Sequence, residues 1–123
     1  MRRARSTGKP TRAQAARWDE IRALGCVCCL LKDIKRAAEI HHMTVGGKHG
    51  QKRLGHDHTF GLCAWHHRGE NAFGSPRLGV LAYGPSFALE PRRFREVFGT
   101  QDELLEFQNE LLAKVRAALG RAA

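Results

Sequence analysis

Two short pairs constrain this chain more than anything else in it: Cys26-x-x-Cys29 and Cys63-x-x-His66. Two intervening residues let both side chains of a pair reach one tetrahedral ion, and two such pairs complete its four ligands. A lone C-x-x-C fits a redox pair or buried free thiols equally well and gains meaning only from the second pair. Cys28 keeps the local count open. A Cys3His zinc site of Cys26, Cys29, Cys63 and His66 is one reading; three ligands only, or Cys28 in place of Cys26 or Cys29, are the others. A chain of 123 residues supports one modest core, so a staple between distant segments could supply much of its folding free energy.

The histidines add a second group. All seven lie between His41 and His67. The apolar stretch Ala38-Glu39-Ile40-His41-His42 reads as a strand, and His58-Thr59-Phe60-Gly61-Leu62 as another. Cys63 then opens a short helix ending near Gly69. Adjacent strand residues point to opposite faces, so His41 and His42 cannot both hold one metal from a regular strand. One can ligate while the other reaches a substrate from a different angle. His66 and His67 sit roughly 100° apart on a helix, which lets each serve a different site. The second group is therefore His41, His42 and His67 with His56 or His58.

The rest of the chain reads as scaffold. Residues 1–12 carry Arg2, Arg3, Arg5, Lys9 and Arg12 and no acid, which predicts a flexible basic arm suited to phosphate contact. Thr11 caps a helix to about Leu24, with Trp18, Ile21 and Leu24 inward, Arg12, Arg17 and Arg22 toward solvent, and Gly25 as its stop. Residues 30–38 are a weak helix or an irregular connection. Residues 43–57 form a glycine-rich cationic loop containing Lys48, Lys52 and Arg53. The Gly- and Pro-rich segment 70–86 reads as a loop, with room for one edge strand. Glu90-Pro91 starts a helix with Phe94, Val97 and Phe98 inward, and Gly99 stops it. Thr100-Gln101-Asp102-Glu103 is a capping box for a last helix, whose stripe runs Leu104, Leu105, Gln108, Leu111, Leu112, Val115, Ala118 and Leu119. The organisation expected is a basic arm over 1–12 and a single domain over 13–120.

A formal charge of +9 and a pI near 10.1 point to a polyanionic partner, nucleic acid first. No run approaches the ~18 apolar residues of a membrane span, and no apolar segment follows the basic N-terminus. A soluble, cytoplasmic protein with reduced thiols is expected, in which four cysteines suggest metal binding rather than disulfides.

Two strands followed by a helix, with histidines on the first strand, at the second and on the helix, resemble the ββα-metal (HNH, His-Me finger) endonucleases, and the two ligand pairs resemble their zinc-stapled versions. The resemblance is closest to the phage Ref (recombination enhancement function) nucleases. It rests on His41-His42, Gly-Gly, Lys-Arg, His56, Thr59 and Leu62-Cys63-x-x-His66-His67, with the tail Phe94-x3-Phe98-Gly99-Thr100-Gln101-x-Glu103-Leu104-Leu105. It covers about residues 20–110. It implies a small α+β fold with a ββα-metal core, a Cys3His zinc staple and flanking N- and C-terminal helices. It also implies a metal-dependent DNA endonuclease, probed most directly through His42. His41 and His67 would hold one catalytic divalent cation (Mg2+, Mn2+ or Zn2+), and His42 would be the general base. The middle position of the motif, usually Asn, would orient that base or support the metal; it falls on His58, with His56 as its rival. Lys48, Lys52, Arg53, Arg68, Arg2, Arg3 and Arg5 would contact DNA. The partners implied are DNA and a RecA nucleoprotein filament, in the cytoplasm of a phage's bacterial host, with no membrane. A non-catalytic zinc-binding DNA or protein adaptor is the alternative; it has no use for an unligated His beside a ligand.

Overall fold

The computed structural model describes residues 8–44 and 53–120. The arm residues Arg2, Arg3 and Arg5 and the loop residues Lys48 and Lys52 lie outside the described residues. Among the described residues there are six helices and one two-stranded sheet, a small α+β arrangement. No helix there is long and apolar enough to cross a membrane.

Helix α1 (Arg12–Leu24) opens on a reciprocal cap. The Gln14 amide N–H donates to Thr11 Oγ1 at 3.1 Å, and the Thr11 amide donates to Gln14 Oε1 at 2.8 Å, which satisfies two orphan donors. Gly25 ends the helix, and the chain turns through the cysteine knuckle into the short helix α2 (Val27–Leu31). The helical turn thus lies earlier than in the 30–38 reading, and residues 35–38 are irregular. Strand β1 (Glu39–His42) pairs antiparallel with β2 (Thr59–Leu62), with His41 opposite Phe60 and His42 opposite Thr59. Helix α3 (Ala64–Arg68) follows at once, capped by Cys63.

A two-stranded sheet leaves backbone edges to satisfy, and side chains do so here. Gln108 of α6 (Gln101–Ala118) accepts from the Gly61 amide at 2.8 Å and donates to the Thr59 carbonyl at 3.1 Å. This explains a fully buried amide in an otherwise apolar stripe. Arg17 joins it, donating to Thr59 Oγ1 at 2.7 Å and to the Thr59 carbonyl at 2.9 Å. Arg17 therefore turns inward, contrary to its expected solvent face, because that carbonyl rewards a charged donor more than water does. The α6 stripe buries Leu104, Gln108 and Leu112 and fades at its end, where Val115 and Leu119 are exposed. Thr100 and Glu103 form the expected capping box of α6.

Two further expectations need correction. The segment 70–86 contains helix α4 (Pro76–Tyr83), not only loop. Its Ser-Pro and Gly residues, read as breakers, are the N-cap Ser75, the first-turn Pro76 and the C-terminal Gly84. In α5 (Pro91–Phe98), Phe94 and Phe98 are buried as expected, whereas Val97 is 49% exposed. Residues 94 and 98 share a helix face four apart, and 97 lies off it.

Gly79 shows why α4 sits where it does. A Cβ at this position would lie 2.6 Å from two atoms of the Trp65 ring and 2.7 Å from Asn71 Nδ2, so the helix backbone rides directly on the indole. Trp65 is fully buried, and its Nε1 donates to the Gly84 carbonyl at 2.8 Å. Gly79→Ala should therefore destabilise the fold by roughly 1–3 kcal/mol through overpacking, despite alanine's better helix propensity. Urea denaturation checks this; an unchanged or raised midpoint would refute the contact.

Candidate metal centre and histidine cleft

The two ligand pairs converge. Cys26 and Cys29 flank the turn into α2, and Cys63 and His66 lie at the start of α3; their four ligand atoms all fall within 4.8 Å of one another in the core. His66 Nδ1 stands 3.4 Å from Cys26 Sγ, 3.7 Å from Cys29 Sγ and 3.2 Å from Cys63 Sγ, and the Cys29 and Cys63 sulfurs are 3.9 Å apart. Ligand atoms around one tetrahedral zinc, at the usual bond lengths, lie about 3.5–3.8 Å from each other. The group fits such an ion, and the sulfurs are too far apart for a disulfide. Cys28 is buried but outside the four-atom group.

The surroundings orient the ligands. His66 Nε2–H donates to the Tyr83 carbonyl at 2.7 Å, which turns Nδ1 toward the sulfurs. That carbonyl comes from α4, the helix not foreseen in the sequence. Arg36 donates to Cys63 Sγ at 3.5 Å, stacks on the Tyr83 ring at 3.9 Å, and accepts from the Cys26 amide at 3.0 Å. Hydrogen bonds from Cys28, Cys29 and Cys63 hold the Cys26 thiol far below its ordinary range. Burial opposes a charge on His66, but hydrogen bonds to Cys26 and Cys63 outweigh it and raise the imidazole to about 9. Burial pushes the Cys28 thiol up.

The second group lines a cleft of about 570 Å³ beside the sheet, which includes His41, His42, Thr44, Arg53, His67 and Phe87. The strand alternation holds. His41 packs against Phe60 and Phe87, with the His67 ring edge-on at 5.3 Å. His42 faces the other way, toward Trp18 and His56, and its Nε2 lies 3.0 Å from His56 Nδ1. His56 is buried, whereas His58 is exposed; of the two rivals, His56 is the one the structure brings to His42. Burial, with Arg53, His56 and His67 nearby, lowers His42 to about 4, so its ring is neutral at neutral pH.

Two supports of this cleft had no role in the sequence reading. Glu39 Oε1 accepts from His67 Nδ1–H at 2.8 Å and from Arg68 Nε at 2.8 Å, and Oε2 accepts from Arg68 Nη2 at 2.6 Å. Arg68, with His67 adding to it, holds the Glu39 carboxyl down to about 2. Arg68 also pairs with Glu70 at 2.8 Å, and it lines the cleft together with Arg53. Gln101 Oε1 lies 2.8 Å from His41 Nε2. Glu39 shares the strand face of His41, two residues on, and that spacing was the available signal. Gln101 stood in the recognised tail with no chemical reason attached.

Cys63→Ser should lose zinc and lower the melting temperature sharply, since structural zinc contributes on the order of 10 kcal/mol to small zinc domains. Cys28→Ala should keep one zinc per chain. Metal analysis with thermal melts checks both; a zinc-loaded, wild-type-like Cys63→Ser protein would refute the ligand set.

The family described as recombination enhancement, RecA-dependent nuclease matches residues 10–113, a span that holds both ligand pairs and every histidine of the cleft. No curated protein and no solved structure matches the chain. With most of its length inside that match, the chain belongs to the recombination-enhancement, RecA-dependent nuclease family.

Proposed function

We propose that this protein is a metal-dependent DNA endonuclease of the HNH, ββα-metal type, acting in phage recombination on DNA presented by a RecA filament. The observation that carries the reading is the cleft holding His41, His42 and His67 together at the β1–β2–α3 junction, within a chain of a nuclease family. The domain doing this work is the 13–120 unit.

His41 and His67 are the residues that would hold the catalytic cation. The carboxylate of Glu39 accepts a hydrogen bond from His67 Nδ1–H, which leaves Nε2 as the lone-pair nitrogen; such carboxylate–histidine pairs are the usual support of a ligating imidazole. An open cation site shares its remaining positions with water and phosphate oxygens. A divalent cation there would offset the charge that builds on the scissile phosphate and the leaving oxygen. His42, neutral and outside that pair, takes the proton from the attacking water. Arg53, on the cleft wall, is placed for a flanking phosphate. The adaptor reading leaves the part-buried His42–His56 contact without a purpose.

His42→Ala should abolish nicking of supercoiled plasmid in Mn2+ or Mg2+, with and without a RecA filament, at unchanged zinc content and melting temperature. Residual nicking near the wild-type rate would overturn the base assignment, and lost zinc would make His42 a ligand instead.

A further inference from the structure

His56 Nε2 lies 2.7 Å from the backbone carbonyl of Gly8, at the far N-terminal end of the described chain. A carbonyl can only accept, so His56 Nε2 must carry a hydrogen. In the neutral ring the lone pair is then on Nδ1, and Nδ1 faces His42 Nε2 at 3.0 Å. His42 must donate through Nε2, which puts its own lone pair on Nδ1. We propose that the Gly8 carbonyl is a working part of the cleavage site: it fixes the tautomer of His56, and His56, in the base-orienting role, thereby fixes which nitrogen of His42 takes the proton. This rests on His42 being the base.

The packing keeps the relay in register. Trp18 stands edge-on to both rings, at 5.5 Å from His42 and 4.9 Å from His56. Trp18 Nε1 donates to Thr59 Oγ1 at 3.1 Å, and that hydroxyl donates to the His56 carbonyl at 2.8 Å, which anchors the backbone of His56. Without the Gly8 carbonyl, a neutral His56 is free to place its hydrogen on Nδ1 instead. It would then donate to His42 Nε2, engage that lone pair and leave Nδ1 of His42 protonated, which disables the base. His56 is thus a positioning residue.

Gly8 offers a clean handle. Its φ is +70°, and a Cβ there would meet nothing within 4 Å. A β-branched side chain therefore opposes the backbone conformation without a clash in the core. Gly8→Val withdraws the carbonyl and leaves Arg2, Arg3 and Arg5 in the chain.

Nitrogen NMR of isotope-labelled histidines in the full-length protein reads the tautomers directly, before any DNA is added. Wild type should show His42 protonated at Nε2, and Gly8→Val should show His42 shifted toward the Nδ1-protonated form. In single-turnover cleavage, Gly8→Val and His56→Phe should lose about 10–100-fold in rate, the range for lost orienting groups, with DNA affinity little changed. His56→Asn keeps an acceptor oxygen near the Nδ1 position and should recover much of the His56→Phe loss. Melting temperature and zinc content near wild type identify the variants that fold. Nδ1-protonated His42 in the wild type, or a Gly8→Val protein with wild-type spectrum and rate, overturns the relay. If the spectra come out as expected while His42→Ala still nicks DNA, the base assignment fails and takes the catalytic role of Gly8 with it, leaving only the hydrogen-bond chain from Gly8 to His42.

Discussion

The convergence of three sulfurs and one imidazole in the core is the constraint on which the remaining geometry depends. Cys26 caps α2 and Cys29 lies within its first turn; Cys63 and His66 sit where β2 becomes α3. Tying these places together fixes the roll of α3 about its own axis. With His66 committed to the core, the next residue, His67, must emerge roughly 100° further round. That direction faces β1, where Glu39 and His41 share a strand face. The cluster therefore aims a residue it does not contain.

The cleft then follows from a strand's alternation rather than from any unusual backbone. His41 and His42 leave β1 on opposite sides and meet different neighbours: an aromatic and amide environment for His41, and Trp18 with His56 for His42. Each ring has a named partner on one nitrogen, namely Gln101, His56 and Glu39 for His41, His42 and His67. A site assembled this way loses little on substrate arrival, because the orientation of its rings is already set by the fold. Charge is arranged to match. Glu39 and Glu70 pair with Arg68, and Arg53 lies on the same cleft wall.

Much of this was legible in the sequence wherever a local rule decides the outcome. Helix caps at Thr11 and Thr100, the strand ending in His41-His42, and the x-x spacing of both ligand pairs each follow from short-range geometry. What escaped depends on contacts distant in sequence. Helix α4 looked like a loop because Ser75-Pro76 and Gly84 serve equally as breakers and as caps, and only the Trp65 ring beneath Gly79 shows which. Arg17 looked like a surface cation because the carbonyl that captures it, Thr59, lies 42 positions away. Gln101 looked like an ordinary first-turn residue, since the ring it touches is 60 positions earlier. Choosing between His56 and His58 required the turn that buries one and exposes the other.

The central claim is a division of labour: thiolates and one imidazole take a structural ion, and the cleft histidines stay outside its shell. X-ray absorption at the zinc edge, on protein loaded with one equivalent of zinc, tests it most directly. The account predicts a first shell of three sulfurs at ~2.3 Å and one nitrogen at ~2.0–2.1 Å. A first shell dominated by nitrogen and oxygen would place that ion in the histidine cleft and contradict it.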